Sequence, residues 1–206
     1  MSYHIDNLDS LQLDVLKEIA NIGAGNAATA LSVMVNRPID MNVPKLNIIY
    51  FNEVENILGG ADIPVTGIYL EFHGDIKGTI MFIIDEASTF NFLSLLFGKD
   101  HLDKDKNLGE IELSALKEVG NILTGSFLTS LSQMTGLTIN YTIPAIAIDM
   151  AAAILSVPFI EFGQQGDRAL FIETVFLGKE KQVNGHLFLI PSIDSYTTIL
   201  QALGVA

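Results

Sequence analysis

The chain contains no cysteine. Disulfides and thiol chemistry are therefore excluded, which suits a reducing compartment. Arginine is almost missing as well: Arg37 and Arg168 are the only two, in a chain whose formal net charge is -13. Nucleic-acid binding and adsorption to anionic lipid both lean on clustered Lys and Arg, so both are disfavoured. A basic protein partner fits the charge, and so does a plainly solvated acidic surface. Near the N-terminus no basic segment leads into an apolar run, so no signal peptide is expected. The longest apolar run, Ile143 to Ile160, is broken by Pro144, Asp149 and Pro158. A carboxylate near the centre of a span costs roughly 2.5–3.5 kcal/mol, and no basic anchors flank the run. The expectation is a cytoplasmic protein with no membrane span. His4, His73, His101 and His186 show no metal-ligand spacing, and neither a Walker A loop nor G-x-S-x-G occurs.

What is present is a repeat. Asp14-Val15-Leu16-Lys17-Glu18-Ile19-Ala20-Asn21 returns 100 residues later as Ser114-Ala115-Leu116-Lys117-Glu118-Val119-Gly120-Asn121. The match continues at Ile22/Ile122, Gly25/Gly125, Thr29/Thr129, Leu31/Leu131, Ser32/Ser132, Met34/Met134 and Ile39/Ile139, and closes at Pro44/Pro144. A repeat of this length means that the 206 residues form two related halves, about 7–98 and 107–204, of a single domain. With 49% hydrophobic residues they can bury a real core.

Asp9 and Gln12 form a candidate capping pair ahead of a helix from Leu11 to about Val35, stopped by Asn36-Arg37-Pro38. On it Leu13, Leu16, Ala20, Ala27 and Leu31 share one side, and Asp14, Glu18, Asn21 and Gly25 share the other. Gly23 and Gly25, costly inside a helix, suggest close approach by the chain's own core or by a visitor. Lys45 to Phe51 is a predicted strand, and Asn52 to Asp62 a connection with room for a short helix. Val65 to Phe72 and Gly78 to Ile84 form a predicted hairpin, and Asp85 to Phe97 a helix stopped by Gly98.

A charged linker, Lys99 to Leu108, leads to a second long helix from about Glu110 to Met134, capped through Asn107 and Glu110. Leu137 to Tyr141, Phe171 to Leu177, Gly185 to Ile190 and Ser192 to Leu203 repeat the first half's later elements. The extra length of half two falls between Ala145 and Ala169. The expected fold is α/β (α+β): two long helices packed on one face of a largely antiparallel or mixed sheet, related by a pseudo-two-fold, with their Glu/Asn stripes outward.

Helical residues three apart are neighbours, so Glu18 points with Asn21 and Glu118 with Asn121. A solvated helix face is the plain explanation. Asn, however, is a mediocre helix former that gains no packing on a surface, so two of them call for another reason. On the residues alone both explanations stand. A rival motif, Gly23-Ala24-Gly25-Asn26-Ala27-Ala28, fits the dinucleotide pattern G-x-G-x-x-A. That pattern needs a preceding strand, and here the preceding segment is helical. Glu53, Glu55 and Asp62 form an acidic group of the kind that solubilises loops.

At Asp14, Glu18, Asn21 and Pro44, and again at Ser114, Glu118, Asn121 and Pro144, the chain resembles the CheC-type chemotaxis phosphatases, which include CheX and the phosphatase region of FliY. Both motif copies are gapless and the resemblance runs nearly full length, which favours the CheC branch. The resemblance implies a protein phosphatase acting on the aspartyl phosphate of the response regulator CheY. Asn21 and Asn121 would position the attacking water. Glu18 and Glu118 would anchor the partner by pairing with its active-site Lys. Asp14 and Ser114 would support the dock, and Gly25 with Ala28, or Gly125, would leave room for the partner. No cofactor of the chain's own is implied; Mg²⁺ would sit on the response regulator.

The family also suggests the receptor deamidase CheD as a partner, with Asp149 in the small-residue patch Ala147 to Ala153 as a docking point. A buried strand entering a loop is the alternative for that patch. The alternatives for the whole are a non-catalytic flagellar switch scaffold of the FliM middle-domain type, and a small-molecule module using the Gly-rich stretch.

Overall fold

The computed structural model describes residues 8–97, 108–162, 168–177 and 182–205. The expected stop at Gly98, the linker from Lys99 and the cap at Asn107 lie outside the described residues, as do His4 and His101. Helix α1, Ser10–Val35, begins where Asp9 and Gln12 cap each other reciprocally, at 2.8 and 3.0 Å. It ends at Asn36, whose left-handed backbone (φ 52°) closes the last turn onto Ser32 and Val33. Ser32 then clips the exit: its hydroxyl accepts from Ile39 N (2.9 Å) and donates to Ile39 O (3.1 Å). This clip starts strand β1, Asp40–Tyr50, earlier than the expected Lys45.

The first half continues with α2 (Phe51–Ile57), β2 (Pro64–Gly74), β3 (Gly78–Asp85) and α3 (Glu86–Phe97). The second half opens with α4, Glu110–Thr135. Its entrance is Gly109, whose N–H donates to Glu112 Oε2 at 3.0 Å, in place of the expected Glu110. At the far end Ser132 donates to Leu137 O, which explains why serine recurs at that position. Strands β4 (Ile139–Tyr141) and β5 (Ala145–Met150), helix α5 (Ala151–Phe162), strands β6 (Arg168–Leu177) and β7 (Gln182–Pro191), and helix α6 (Ile193–Ala202) complete it.

The repeated prolines have one effect. Proline cannot donate to a ladder, so it sits where pairing breaks. Around Pro44 the β1–β6 register shifts between Asn42 and Lys45, and Pro144 lies in the gap that divides β4 from β5.

All pairings among the described residues are antiparallel, in the order β1-β6-β7-β3-β2-β4, with β5 also on β2. The halves exchange strands: β1 pairs with β6, while β4 and β5 pair with β2. The pseudo-two-fold falls between the central strands β3 and β7. Alternation puts Ile68, Leu70 and Phe72 of β2 on the face covered by α1, α4, α3 and α6. Val65, Met81 and Phe188 lie on the other face, under α2 and α5. The run Ile143 to Ile160 is thus divided between an edge strand and a 12-residue helix, and among the described residues no helix is long and apolar enough to cross a membrane.

Candidate functional site

The core fixes which way the two long helices face. On α1, Leu16, Ile19, Ala20, Ala24, Ala27 and Leu31 are buried against the sheet and α4. That orientation leaves Asp14, Glu18, Asn21 and Gly25 exposed in one stripe. On α4, Leu116, Val119, Leu123 and Leu131 are buried, leaving Ser114 and Glu118 exposed and Asn121 half-buried. The two helices touch closely. A Cβ on Gly23 would lie 3.0 Å from the Phe127 backbone, and Asn26 Nδ2 donates to Ser130 Oγ at 3.3 Å.

None of the side chains of Asp14, Glu18, Asn21, Ser114, Glu118 and Asn121 is held by a hydrogen bond or ion pair to another described residue. Each helix therefore presents a carboxylate and an amide, one turn apart, with full hydrogen-bonding capacity outward. The carboxylate accepts only; the amide both donates and accepts. Such a pair can hold a cation with one group and orient a water with the other. The Gly23–Ala28 stretch lies wholly inside α1, with no strand before it, so the dinucleotide pattern has no structural context.

The two ridges are not equal, and here the structure corrects an expectation. Gly25 faces open space, with nothing within 4 Å of a built Cβ. Gly125 is buried: the same built atom would lie 2.7 Å from Tyr141 Oη. The room at Gly125 is filled by the chain's own ring and is not left for a partner. Sequence reasoning missed Tyr141. The available signal was that position 41, between the matched pairs 39/139 and 44/144, holds Met where position 141 holds Tyr.

Asp149 stands away from both ridges, exposed on β5 at the sheet edge, where its carboxylate accepts from Met150 N at 2.8 Å. The patch around it is an exposed edge strand running into α5, not a buried strand entering a loop, because among the described residues β5 pairs on one side only, with β2.

Elsewhere, Glu53 serves α2 by accepting from Tyr50 N at 2.8 Å. Among the described residues no group of three or more His, Asp or Glu is placed to hold a metal ion. His186, on β7, stacks on Phe171 with its Nδ1 unpartnered. Burial lowers its pKa, against the opposing pull of Glu173 and Asp85. It sits on the α2/α5 face of the sheet, remote from the Glu/Asn stripes.

Two long duplicated helices on one face of an antiparallel sheet, seven-stranded among the described residues, define a fold shared with solved structures of FliY and FliM. FliY of Thermotoga maritima superimposes with a TM-score of 0.75 at 24% identity, over 96% of this chain and 98% of that one. A chain of the FliG–FliM complex from H. pylori superimposes with a TM-score of 0.71 at 14% identity, over 94% and 100%. Within that fold the chain belongs to the CheC-like family. The family's model matches residues 11–48 and 111–148, the two copies of the repeat. The CheY-P phosphatase CheC of Bacillus subtilis is 37% identical over 199 residues, 95% of each chain.

Proposed function

We propose that this protein hydrolyses the aspartyl phosphate of phosphorylated CheY, releasing inorganic phosphate and regenerating the free carboxylate. The observation that carries this is the twofold occurrence of an outward, unpartnered Glu and Asn one helical turn apart. The name of the B. subtilis relative points the same way.

Phosphoryl transfer asks little covalent chemistry of a protein; positioning and electrostatics dominate. Glu18 or Glu118 pairs with the active-site Lys of the docked regulator and fixes its register. Asn21 or Asn121 then accepts from and donates to a single water, holding it in line with the phosphorus–oxygen bond that breaks. The water's oxygen bonds to phosphorus, the aspartate oxygen leaves with the bonding electrons, and the water's proton passes to the phosphate. Asp14 and Ser114, one turn upstream, border the docking surface, and Gly25 lets a partner approach α1 closely. The chain has only two arginines to spend on a phosphate. The Mg²⁺ that neutralises the phosphoryl oxygens belongs to the regulator in this scheme. The site of action would be the cytoplasm.

The test is phosphate release from phosphorylated CheY with Mg²⁺. Replacing both asparagines, Asn21→Ala with Asn121→Ala, should lower stimulated release by on the order of 10²-fold or more, the scale of losing a positioned reactant. Circular dichroism should stay unchanged. A fully active double variant would reject the scheme and favour the non-catalytic scaffold that the fold also supports.

We also assign the receptor deamidase CheD to the edge formed by β5 and α5, with Asp149 as its charged contact. Asp149→Lys should lose CheD in a pull-down while keeping phosphate release intact. Retained capture would remove Asp149 from that interface.

A further inference from the structure

Beside the two Glu/Asn pairs, the halves differ in the strand residue that stands three positions before the repeated proline: Met41 in one, Tyr141 in the other. In half one Met41 turns inward, lining an internal cavity of about 10 Å³ with Ala20, Gly23 and Phe82. In half two the corresponding Tyr141 turns outward over α4. It is 41% exposed, so its ring is partly free to meet a visitor. Its hydroxyl lies over Gly125, close enough that any larger residue there would have to push the ring aside.

Gly125 is one turn beyond Asn121 on the same helix, so the ring borders the second Glu/Asn pair. The backbone holds it there. Tyr141 pairs with Phe72 of β2, and next to it Thr142 N donates to Glu71 O at 2.9 Å while Glu71 N donates to Thr142 Oγ1 at 3.1 Å. No described residue accepts from or donates to the Tyr141 hydroxyl. A rigidly mounted, half-exposed aromatic at the rim of a docking ridge is the residue type that dominates protein interfaces.

We propose that Tyr141 is a partner-binding residue of the second site only, its ring forming a contact with the response regulator that the first site lacks. The inference rests on the function proposed above. Its consequence is that the two sites bind the same partner with different affinity, and that Tyr141 contributes to that difference through KM. A contact made equally in the bound and reacting states changes KM and leaves kcat alone.

The experiment isolates each site in the full chain. Asn21→Ala leaves the second site and Asn121→Ala leaves the first. In the Asn21→Ala background Tyr141→Ala should raise KM for phosphorylated CheY about tenfold with kcat within twofold, on the scale of an interface aromatic. Tyr141→Phe, which keeps the ring, should restore most of that loss. In the Asn121→Ala background Tyr141→Ala should leave both parameters unchanged. An unchanged KM at the second site, an equal change at the first, a fall in kcat alone, or a Phe variant as weak as Ala would overturn the proposal. The proposed function is judged separately, by inactivity of the double Asn variant with Tyr141 intact.

Discussion

Glycine occupies both copies of the matched position 25/125, and at each the missing side chain serves a different neighbour. At Gly25 the space is open; at Gly125 it is taken by Tyr141. A third helical glycine, Gly120, has Ala20 as its counterpart. A Cβ on it would stand 2.4 Å from Ile68 Cγ2 and 3.1 Å from Ile68 Cβ, and Ile68 is fully buried. The same substitution should therefore carry opposite signs at two positions. Gly25→Ala should stabilise the fold by about 0.5–1 kcal/mol, the propensity gain at an unobstructed helical site. Gly120→Ala should destabilise it by roughly 1–2 kcal/mol, because overpacking against a fixed neighbour exceeds that gain. Urea unfolding of the two variants beside the parent checks both, and equal shifts would show that α4 has slack against the sheet.

At the scale of elements, the legible features arose from local chemistry. The Asp9/Gln12 cap, the Asn36 stop and the helical period of Leu16, Ala20, Ala27 and Leu31 are short-range signals, and each element formed where they indicate. The outward stripe was legible for the same reason, since burying one side of a helix leaves its opposite side to solvent. The features that were not legible depended on contacts far along the chain. Strand β1 starts at Asp40 because Ser32 clips Ile39 and β6 offers a partner from more than a hundred residues away. Half two splits its equivalent strand into β4 and β5; Pro144 marks the break locally, but that both pieces then return to β2 of the other half is a long-range pairing with no local sign. Helix α4 starts at the expected Glu110, but its cap is made by a residue further in: the Glu112 carboxylate accepts from the Gly109 N–H, and Gly109 itself has no side chain with which to cap. Tyr141 went unread because a strand residue whose ring reaches across to a helix leaves no periodic trace in its own strand.

For the molecule as a whole, the exchange of strands has a thermodynamic consequence. Among the described residues the only strand partner of β1 is β6, and β2 takes β4 and β5 on one side, so each half completes the sheet of the other. The central strands β3 and β7 come from different halves and pair along Gly78↔Pro191 to Ile83↔His186. Unfolding either half strips the other of ladder bonds and of one of the two long helices on its core. The sheet should then open as one unit, with urea transitions by far-UV circular dichroism and by tyrosine fluorescence superimposing. Native-state hydrogen exchange gives the sharper test, because it reads opening free energies segment by segment. The amides of Ile80 in β3 and Leu189 in β7 should report the same value, and it should equal the global stability. Gly120→Ala, placed in half two, should lower the value at Ile80, in half one, by its full destabilisation. If Ile80 kept its parent value while Leu189 lost stability, the halves would be separable folding units, and the paired strands would be a docked interface between two small domains.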